Sequence, residues 1–479
     1  MTRRILFTSP VQPIGGCSPN VYSWDKQPGR LKIAMSFLDH PGLSFLAENL
    51  PVEILPYPSA DQFAAALATP PDVLGISFYI NETELALRMV AQARAAGVKE
   101  VWAGNFGAYS PQIESAFDRS ITGWSESQIA SLLELPPIGR ESLRHPEIYG
   151  AVGTNVFPKM ILSGILFTSR GCPFTCNFCQ TPDFYGKAHP VPLEAIDRVL
   201  WRYQRNGVRG INILDENFGT FPGHSSEVVE LLHRYRMRWI PLTRVDTLQR
   251  NFDRWAARGL FGAHLGIESL NPASLSGASK RIADRDSVRL LATLQRHNLF
   301  VQAFYILGFE EDTVESIRHD VEELARLAID VVQVQVLTPY PNTGQRRAIE
   351  DRYGIHDANL SHYNSRNLVW NHPSISPLEM RELQDWANRR LTSSRRALRT
   401  LAKFALFCGR RHPSLEGPRL IAAPFLGPAA ALHRQRAGSL ASARRWTRHA
   451  WYAYEEVSSH EAHTAQAGAV PHVLGLSAG

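Results

Sequence analysis

Cysteine is scarce in this chain, with five among 479 residues. Cys17 and Cys408 stand far from the other three, which excludes the disulfide framework that staples small secreted domains. Long apolar runs are missing too, and none approaches the ~20 residues that a membrane-spanning helix needs. The opening Met1-Thr2-Arg3-Arg4-Ile5-Leu6-Phe7 passes straight into a strand-like run, without the apolar region and cleavage site of a secretory signal. These absences lead to the expectation of a cytoplasmic protein. Acid is scarce in one place only. Residues 389–450 hold fourteen Arg or Lys and a single acid, Glu416, although the whole chain has 51 basic and 45 acidic residues. The rest is therefore mildly acidic, and the net charge of +6 belongs to one segment. That segment interleaves Arg with Leu, Ala, Phe and Trp. Contact with an anionic membrane surface at the periphery of the cytoplasm, docking of an acidic or lipid-like substrate, and a plain solvated helix face are all open readings. No recognisable DNA- or RNA-binding module accompanies it, so nucleic acid is not expected as a partner.

What is present is concentrated in Ser169-Arg170-Gly171-Cys172-Pro173-Phe174-Thr175-Cys176-Asn177-Phe178-Cys179. Cys172, Cys176 and Cys179 are spaced C-x3-C-x2-C, close enough to hold a metal cluster from one loop. Three ligands on a four-iron cube leave one iron without a protein ligand, and an open coordination position is a binding site. A structural zinc ion would want a fourth ligand, for which His189 is the one His or Cys candidate within the next two dozen residues. Cysteines without any metal are the remaining reading.

At this length two or three domains are expected. Residues 1–135 alternate strand and helix signals. Strands are read at Arg4–Thr8, Val52–Leu55, Asp72–Phe78, Glu100–Gly104 and Ser120–Trp124, and a helix opens at an Asn81/Glu84 capping box with Ala86, Met89, Val90 and Ala93 on one face. That pattern implies a doubly wound, Rossmann-like parallel sheet with a crevice at the strands' C-terminal ends. Residues 136–158, rich in Pro and Gly, read as a linker. From Ile161–Thr168 onward six βα units follow within 159–345, the pattern of a partial (β/α)6 barrel. Polar residues stand at successive strand ends: Asp215-Glu216-Asn217, Arg244 to Asp246, Glu268-Ser269, Glu310-Glu311 and Thr338 to Gly344. An Asp312/Glu315 capping box is expected to open the helix after the fifth strand. Residues 346–479 read as a mainly helical region with a flexible tail.

The Arg-Gly-Cys-Pro lead-in, the cysteine spacing and the aromatic Phe178 before the last cysteine resemble the signature of the radical S-adenosylmethionine (SAM) superfamily. The segments Pro41–Ala47, Pro71–Ser77 and Ala103–Phe106 resemble, in order and spacing, the cobalamin-binding domain that precedes the radical SAM core in one subclass. The resemblance implies a 4Fe-4S cluster on the three cysteines, with SAM chelating the open iron. It further implies Asp215 or Glu216 at the SAM ammonium, Glu268 at the ribose hydroxyls, Arg244 at the carboxylate, and Ile306, Gly308 and Glu311 beside adenine, although Phe304 replaces a usual glycine. For cobalamin it implies contacts at Gly15, Ser77, Gly104 and Asn105. The Asp-x-His-x-x-Gly pattern that supplies a histidine to cobalt is missing, and His40 stands outside it. Cys17, in the loop after the first strand, is a candidate reactive thiol or simply a tolerated small residue.

The activity so implied is reductive cleavage of SAM to methionine and a 5′-deoxyadenosyl radical, leading to cobalamin-dependent C-methylation of a small-molecule or lipid-like substrate in secondary-metabolite, lipid or cofactor biosynthesis. An electron donor such as flavodoxin or ferredoxin would be the partner. Two other readings are carried: the same radical used for ring formation, oxidation or rearrangement, and a non-enzymatic iron–sulfur electron carrier.

Overall fold

The computed structural model describes residues 3–12, 33–37, 39–154, 158–280, 286–327 and 329–409. Cys17, Gly15 and most of the basic segment lie outside them. Among the described residues, fifteen strands run in chain order as β1 Ile5–Thr8, β2 Ile33–Phe37, β3 Glu53–Leu55, β4 Val73–Ser77, β5 Glu100–Gly104, β6 Arg119–Ile121, β7 Glu147–Thr154, β8 Pro158–Leu166, β9 Ser169–Arg170, β10 His189–Pro190, β11 Gly210–Ile213, β12 Arg238–Arg244, β13 Gly262–Glu268, β14 Phe300–Leu307 and β15 Val331–Val336.

Five of the early strands form a parallel sheet in the order β3-β1-β4-β5-β6. The order reverses at β1, which puts a crevice at the carboxyl ends of β1 and β4. One face buries Leu6, Leu74, Ile76 and Val101 against Phe63 of the helix Ala60–Leu67 and against the helix Thr83–Ala95, whose Ala86, Met89, Val90 and Ala93 are buried as their spacing requires. The other buries Phe7, Val73 and Trp102 against the helices Pro41–Asn49 and Ser125–Leu132. Two caps differ from expectation. Asn81 does not cap the Thr83–Ala95 helix; Glu82 takes the Tyr79 N–H instead and Thr83 donates to the Ile80 carbonyl. Asp312 likewise leaves the capping of the Val314–Arg326 helix to Thr313 and Ser316.

The second sheet has the order β15-β14-β13-β12-β11-β8-β7-β2. From β8 to β15 all six strands are parallel, each joined to the next through helix, which is the expected partial barrel. Its flank was not expected. β7 lies inside the stretch read as a linker, and pairs antiparallel with β8 from Glu147↔Gly164 to Gly153↔Pro158. β2, from the N-terminal third, then pairs antiparallel with β7 from Ile33↔Thr154 to Phe37↔Gly150. The edge of β8 is thus covered by two strands rather than left open, and one of them is borrowed from the N-terminal third. Helices pack outside the barrel on a core that includes Tyr203, Trp239, Trp255 and Tyr305.

At the opposite end from the strand C-termini, the helix Ser394–Gly409 closes the barrel. Lys403 Nζ donates to Asp330 (2.7 Å) and to the Leu299 carbonyl, and Thr400 Oγ1 to Asp330 (2.7 Å). Arg396 caps the carbonyls of Ala325 and Leu327, and Arg390 pairs with Glu322. Several cations of the basic segment therefore serve internal packing. Among the described residues no helix is long and apolar enough to cross a membrane.

Candidate functional site

β8 delivers the cysteine loop to the C-terminal mouth of the barrel, and every neighbouring strand end holds it. Asp215 and Glu216, just after β11, divide the work. Asp215 is buried, and its oxygens accept from the Thr168 N–H (2.6 Å), Thr168 Oγ1 and Ser169 Oγ (2.8 Å). Burial pushes its pKa up to about 6 against those hydrogen bonds. Both oxygens are consumed inside the protein, so of the two expected ammonium partners Asp215 is a staple between β8 and β11. Glu216 faces the loop itself and accepts the Gly171 N–H at 2.9 Å, where Gly171 has φ +82°. Burial, and then the Asp215 charge, raise Glu216 to about 7.

The other strand ends meet the loop in turn. At the end of β12, Arg244 lies over the Phe174 ring (4.2 Å) and pairs with Asp246 (3.0 Å). Beyond β13, Asn177 donates from its N–H to the Ala278 carbonyl and from Nδ2 to the Gly277 carbonyl (2.8 Å). The loop after β14 sends Phe309 edge-on to Phe178 (6.1 Å). Its Asp312 accepts from the N–H groups of Gly308 and Phe309 and from Ser274 Oγ. After β15, the Gln345 N–H reaches the Asn177 carbonyl, and Gln180 donates to Pro341. Phe178, Glu216 and Arg244 therefore belong to or touch one loop, and Glu311 lies close by, its Oε1 2.6 Å from where a methyl on Gly277 would fall. Ile306 is buried on the face of β14 opposite Tyr305, whose hydroxyl donates to Asp320 of the outer helix Val314–Arg326.

Glu268 adopts φ +66° at a register shift between Gly266 and Glu268. Its Oε1 accepts from Lys280 Nζ at 2.7 Å, and the same Nζ donates to the Gly266 carbonyl at 2.8 Å. Lys280 carried no signal in the sequence, being one lysine after Gly277-Ala278-Ser279.

Cys172, Cys176 and Cys179 are partly exposed thiols. Burial, followed by the neighbouring cysteines among the weaker causes, raises Cys172 to about 11. Cys176 is raised by burial and drawn back by the Lys280 and Arg244 charges. Three crowded sulfurs beside two cations are a donor set that a cluster would satisfy as thiolates. Among the described residues no three His, Cys, Asp or Glu side chains converge on a point fit for a single metal ion, His189 included. His189 is taken up in the β9–β10 ladder opposite Arg170. Three thiolates on one short loop are the donor set that a multi-iron cluster takes.

Above this mouth lies the crevice of the first sheet. A cavity of about 380 Å³ is lined by Ser77, Gly104 and Asn105 from the strand ends of that sheet and by Phe167, Arg170, Tyr185 and Leu214 from the barrel. Its floor at Gly75, Ala103 and Gly104 carries almost no side chain. A methyl on Gly75 would fall 2.4 Å from the Phe7 ring, whereas one on Gly104 would meet nothing closer than 3.7 Å. A small-residue floor between apolar walls suits a large flat group. His40 lines the cavity too, its Nδ1 accepting the Leu43 N–H at 3.2 Å, and burial lowers its pKa to about 4.

Arg170 ties crevice to loop. It pairs with Glu126 at 2.8 Å, with side chains 6% and 1% exposed, and its guanidinium lies 4.4–5.0 Å from the rings of Phe45, Trp124 and Phe167. Glu126 belongs to the helix Ser125–Leu132 of the first sheet's layer. Neither partner is marked in the sequence, because an Arg in the lead-in and a Glu in a distant helix have no periodic relation.

Residues 166–324 match the Radical SAM superfamily. An uncharacterized methyltransferase of Pyrococcus horikoshii is 29% identical over 191 residues, covering 38% of this chain and 40% of that one. The bacteriochlorophyllide d C-12(1)-methyltransferase of Chlorobaculum tepidum is 27% identical over 197 residues, covering 39% and 42%. The chain thus spans about two fifths of the length of these curated relatives. Among solved structures, the radical S-adenosylmethionine methyltransferase TsrM from Kitasatospora setae is similar in fold at 14–15% identity. Its form with tryptophan and aza-SAM gives a TM-score of 0.57 over 81% of this chain and 89% of that one. The form with cobalamin and a [4Fe-4S] cluster gives 0.54 over 93% and 99%.

Proposed function

We propose that this chain, which carries a radical SAM domain over residues 166–324, is a cobalamin-dependent radical SAM C-methyltransferase acting on a small molecule. One observation carries the reading: a crevice with a small-residue floor is lined both by strand ends of the first sheet and by Phe167, Arg170, Tyr185 and Leu214, which flank the cysteine loop on the barrel side. When bound, a 4Fe-4S cluster and SAM supply a 5′-deoxyadenosyl radical, and cobalamin supplies a transferable methyl group.

The residues then take these roles. Cys172, Cys176 and Cys179 hold the cluster. Glu216 accepts from the SAM ammonium, with Asp215 fixing the backbone beside it. Glu268 receives the ribose hydroxyls, Arg244 offers its guanidinium to the carboxylate, and Phe178, Gly308 and Glu311 border the adenine. Ser77, Gly104 and Asn105 line the corrin side. The walls contributed by Phe45, Phe167, Phe184 and Tyr185 exclude water from the space between the two cofactors. A small redox protein such as flavodoxin or ferredoxin would deliver the electron.

The test is anaerobic reconstitution with iron and sulfide, followed by gel filtration with and without hydroxocobalamin. Retained iron and corrin absorption, the former lost in the Cys172→Ala/Cys176→Ala/Cys179→Ala variant and the latter in Gly104→Phe, is the expected result. Full iron content in the triple variant, or no corrin retained by the unaltered protein, refutes the corresponding half of the proposal.

A further inference from the structure

Lys280 is a buried cation that neither the sequence motifs nor the roles above employ. Its side chain is 5% exposed, it bridges Glu268 Oε1 and the Gly266 carbonyl, and it ends the segment whose Gly277 and Ala278 carbonyls are gripped by Asn177, between Cys176 and Cys179. The pair fits only because residue 266 has no side chain. A methyl there would fall 2.5 Å from Glu268 Oε1 and 2.7 Å from Lys280 Nζ. An ammonium group is seldom fully buried without a task, since burial removes its hydration and leaves only its partners to compensate.

We infer that Lys280 is a positioning residue with two effects: it holds Glu268 in the rotamer that meets the nucleoside of SAM, and its charge favours the reduced, more negative state of the cluster. This rests on the cluster and SAM reading proposed above. The first effect follows from geometry, because Glu268 sits at a positive φ where its carboxylate direction is set by the bulge and by this one ammonium. The second follows from charge. Asn177, between Cys176 and Cys179, holds the Gly277 and Ala278 carbonyls and so sets the buried Lys280 ammonium, two residues further on, beside the cysteine loop. Adding an electron to a cluster held by the same sulfurs raises its negative charge, which a nearby cation stabilises.

The two effects separate by substitution. Lys280→Met removes charge and hydrogen bonds together. Gly266→Ala keeps both charged groups but displaces the flexible tips that form the pair. In the reconstituted protein, EPR-monitored redox titration gives the cluster midpoint, and SAM-induced change in the cluster signal gives the SAM dissociation constant. Lys280→Met should move the midpoint to more negative potential and weaken SAM binding by about tenfold or more, the scale of one lost charge-assisted hydrogen bond. Gly266→Ala should weaken SAM binding while leaving the midpoint near that of the unaltered protein. Lys280→Arg should retain the midpoint, and keeps the charge test available should the Met variant not fold. An unchanged midpoint and unchanged SAM affinity in Lys280→Met, with a full complement of iron, overturn the inference alone. Failure of the unaltered protein to hold a cluster overturns the functional reading together with it.

Discussion

Removing Glu126 tests how the crevice layer is joined to the cysteine loop. The carboxylate is buried, and Arg170 opposite it is surrounded by Phe45, Trp124 and Phe167. Deleting one partner of a buried ion pair strands the other charge, at a cost of about 3–5 kcal/mol. Two features pull the value toward the lower end. Glu126 Oε1 has no hydrogen-bond partner, so the native carboxylate is already incompletely satisfied. The three rings also remain to stabilise the stranded guanidinium, each by roughly 0.5–2 kcal/mol. Glu126→Leu is therefore expected to cost about 3 kcal/mol. Glu126→Gln keeps an acceptor for Arg170 and should cost about 1 kcal/mol, the difference between a charge-assisted and a neutral hydrogen bond. Adding Arg170→Met to Glu126→Leu should restore much of the loss, because no unpaired charge then remains. Urea unfolding followed by circular dichroism measures all four proteins, and the double-mutant cycle gives the coupling. A loss below 1 kcal/mol in Glu126→Leu, or single costs that merely add in the double variant, would refute the reasoning.

Two further outcomes are expected. Asp215→Ala strands the Thr168 N–H and the hydroxyls of Thr168 and Ser169, a loss of about 3 kcal/mol or more in urea unfolding, whereas Glu216→Gln should leave the unfolding midpoint within ~0.5 kcal/mol of wild type and instead weaken SAM in equilibrium binding. Equal stability losses in the two variants would contradict the division of labour between these neighbours. His145 is buried, its Nε2 donates to the Phe167 carbonyl at 3.1 Å, and burial followed by the Arg170 charge lowers its pKa from 6.5 to about 3. The unfolded chain therefore takes up the proton first on acidification. The stability is intact above pH 6.5 and is lost as pH falls from 6.5 toward 3, by about 2 kcal/mol at pH 5. His145→Phe, placed between the rings of Phe45 and Phe167, should flatten that dependence, and identical pH profiles for the two proteins would show that another group governs it.

Much of this architecture was legible because it is written in local periodicity. The strands and helices of both parallel arrays announce themselves by apolar runs and 3.6-residue spacing, and the cysteine loop by its composition. β2 and β7 escaped because an antiparallel pair more than a hundred residues apart leaves no periodic trace, and Pro and Gly around residues 136–158 suggested a connector. Asp215 and Glu216 were indistinguishable in sequence, as adjacent acids at a strand end. Only the positions of Thr168, Ser169 and Gly171 assign one to the scaffold and the other to the loop. Lys280 was invisible for a related reason, since its partner lies across a bulge and the pair closes over the bare backbone of Gly266.

The pairing of β2 with β7 also has a consequence for the order in which the protein can be made. Phe37 finds its partner at Gly150, so during synthesis at ~5–20 residues per second β2 waits on the order of ten seconds for the strand it joins. The first sheet can assemble from β1, β3, β4, β5 and β6 in that interval while β2 stays looped out between β1 and β3. The pairing of β2 therefore cannot form until β7 has been made, and β7 ends before the cysteine loop begins in the chain.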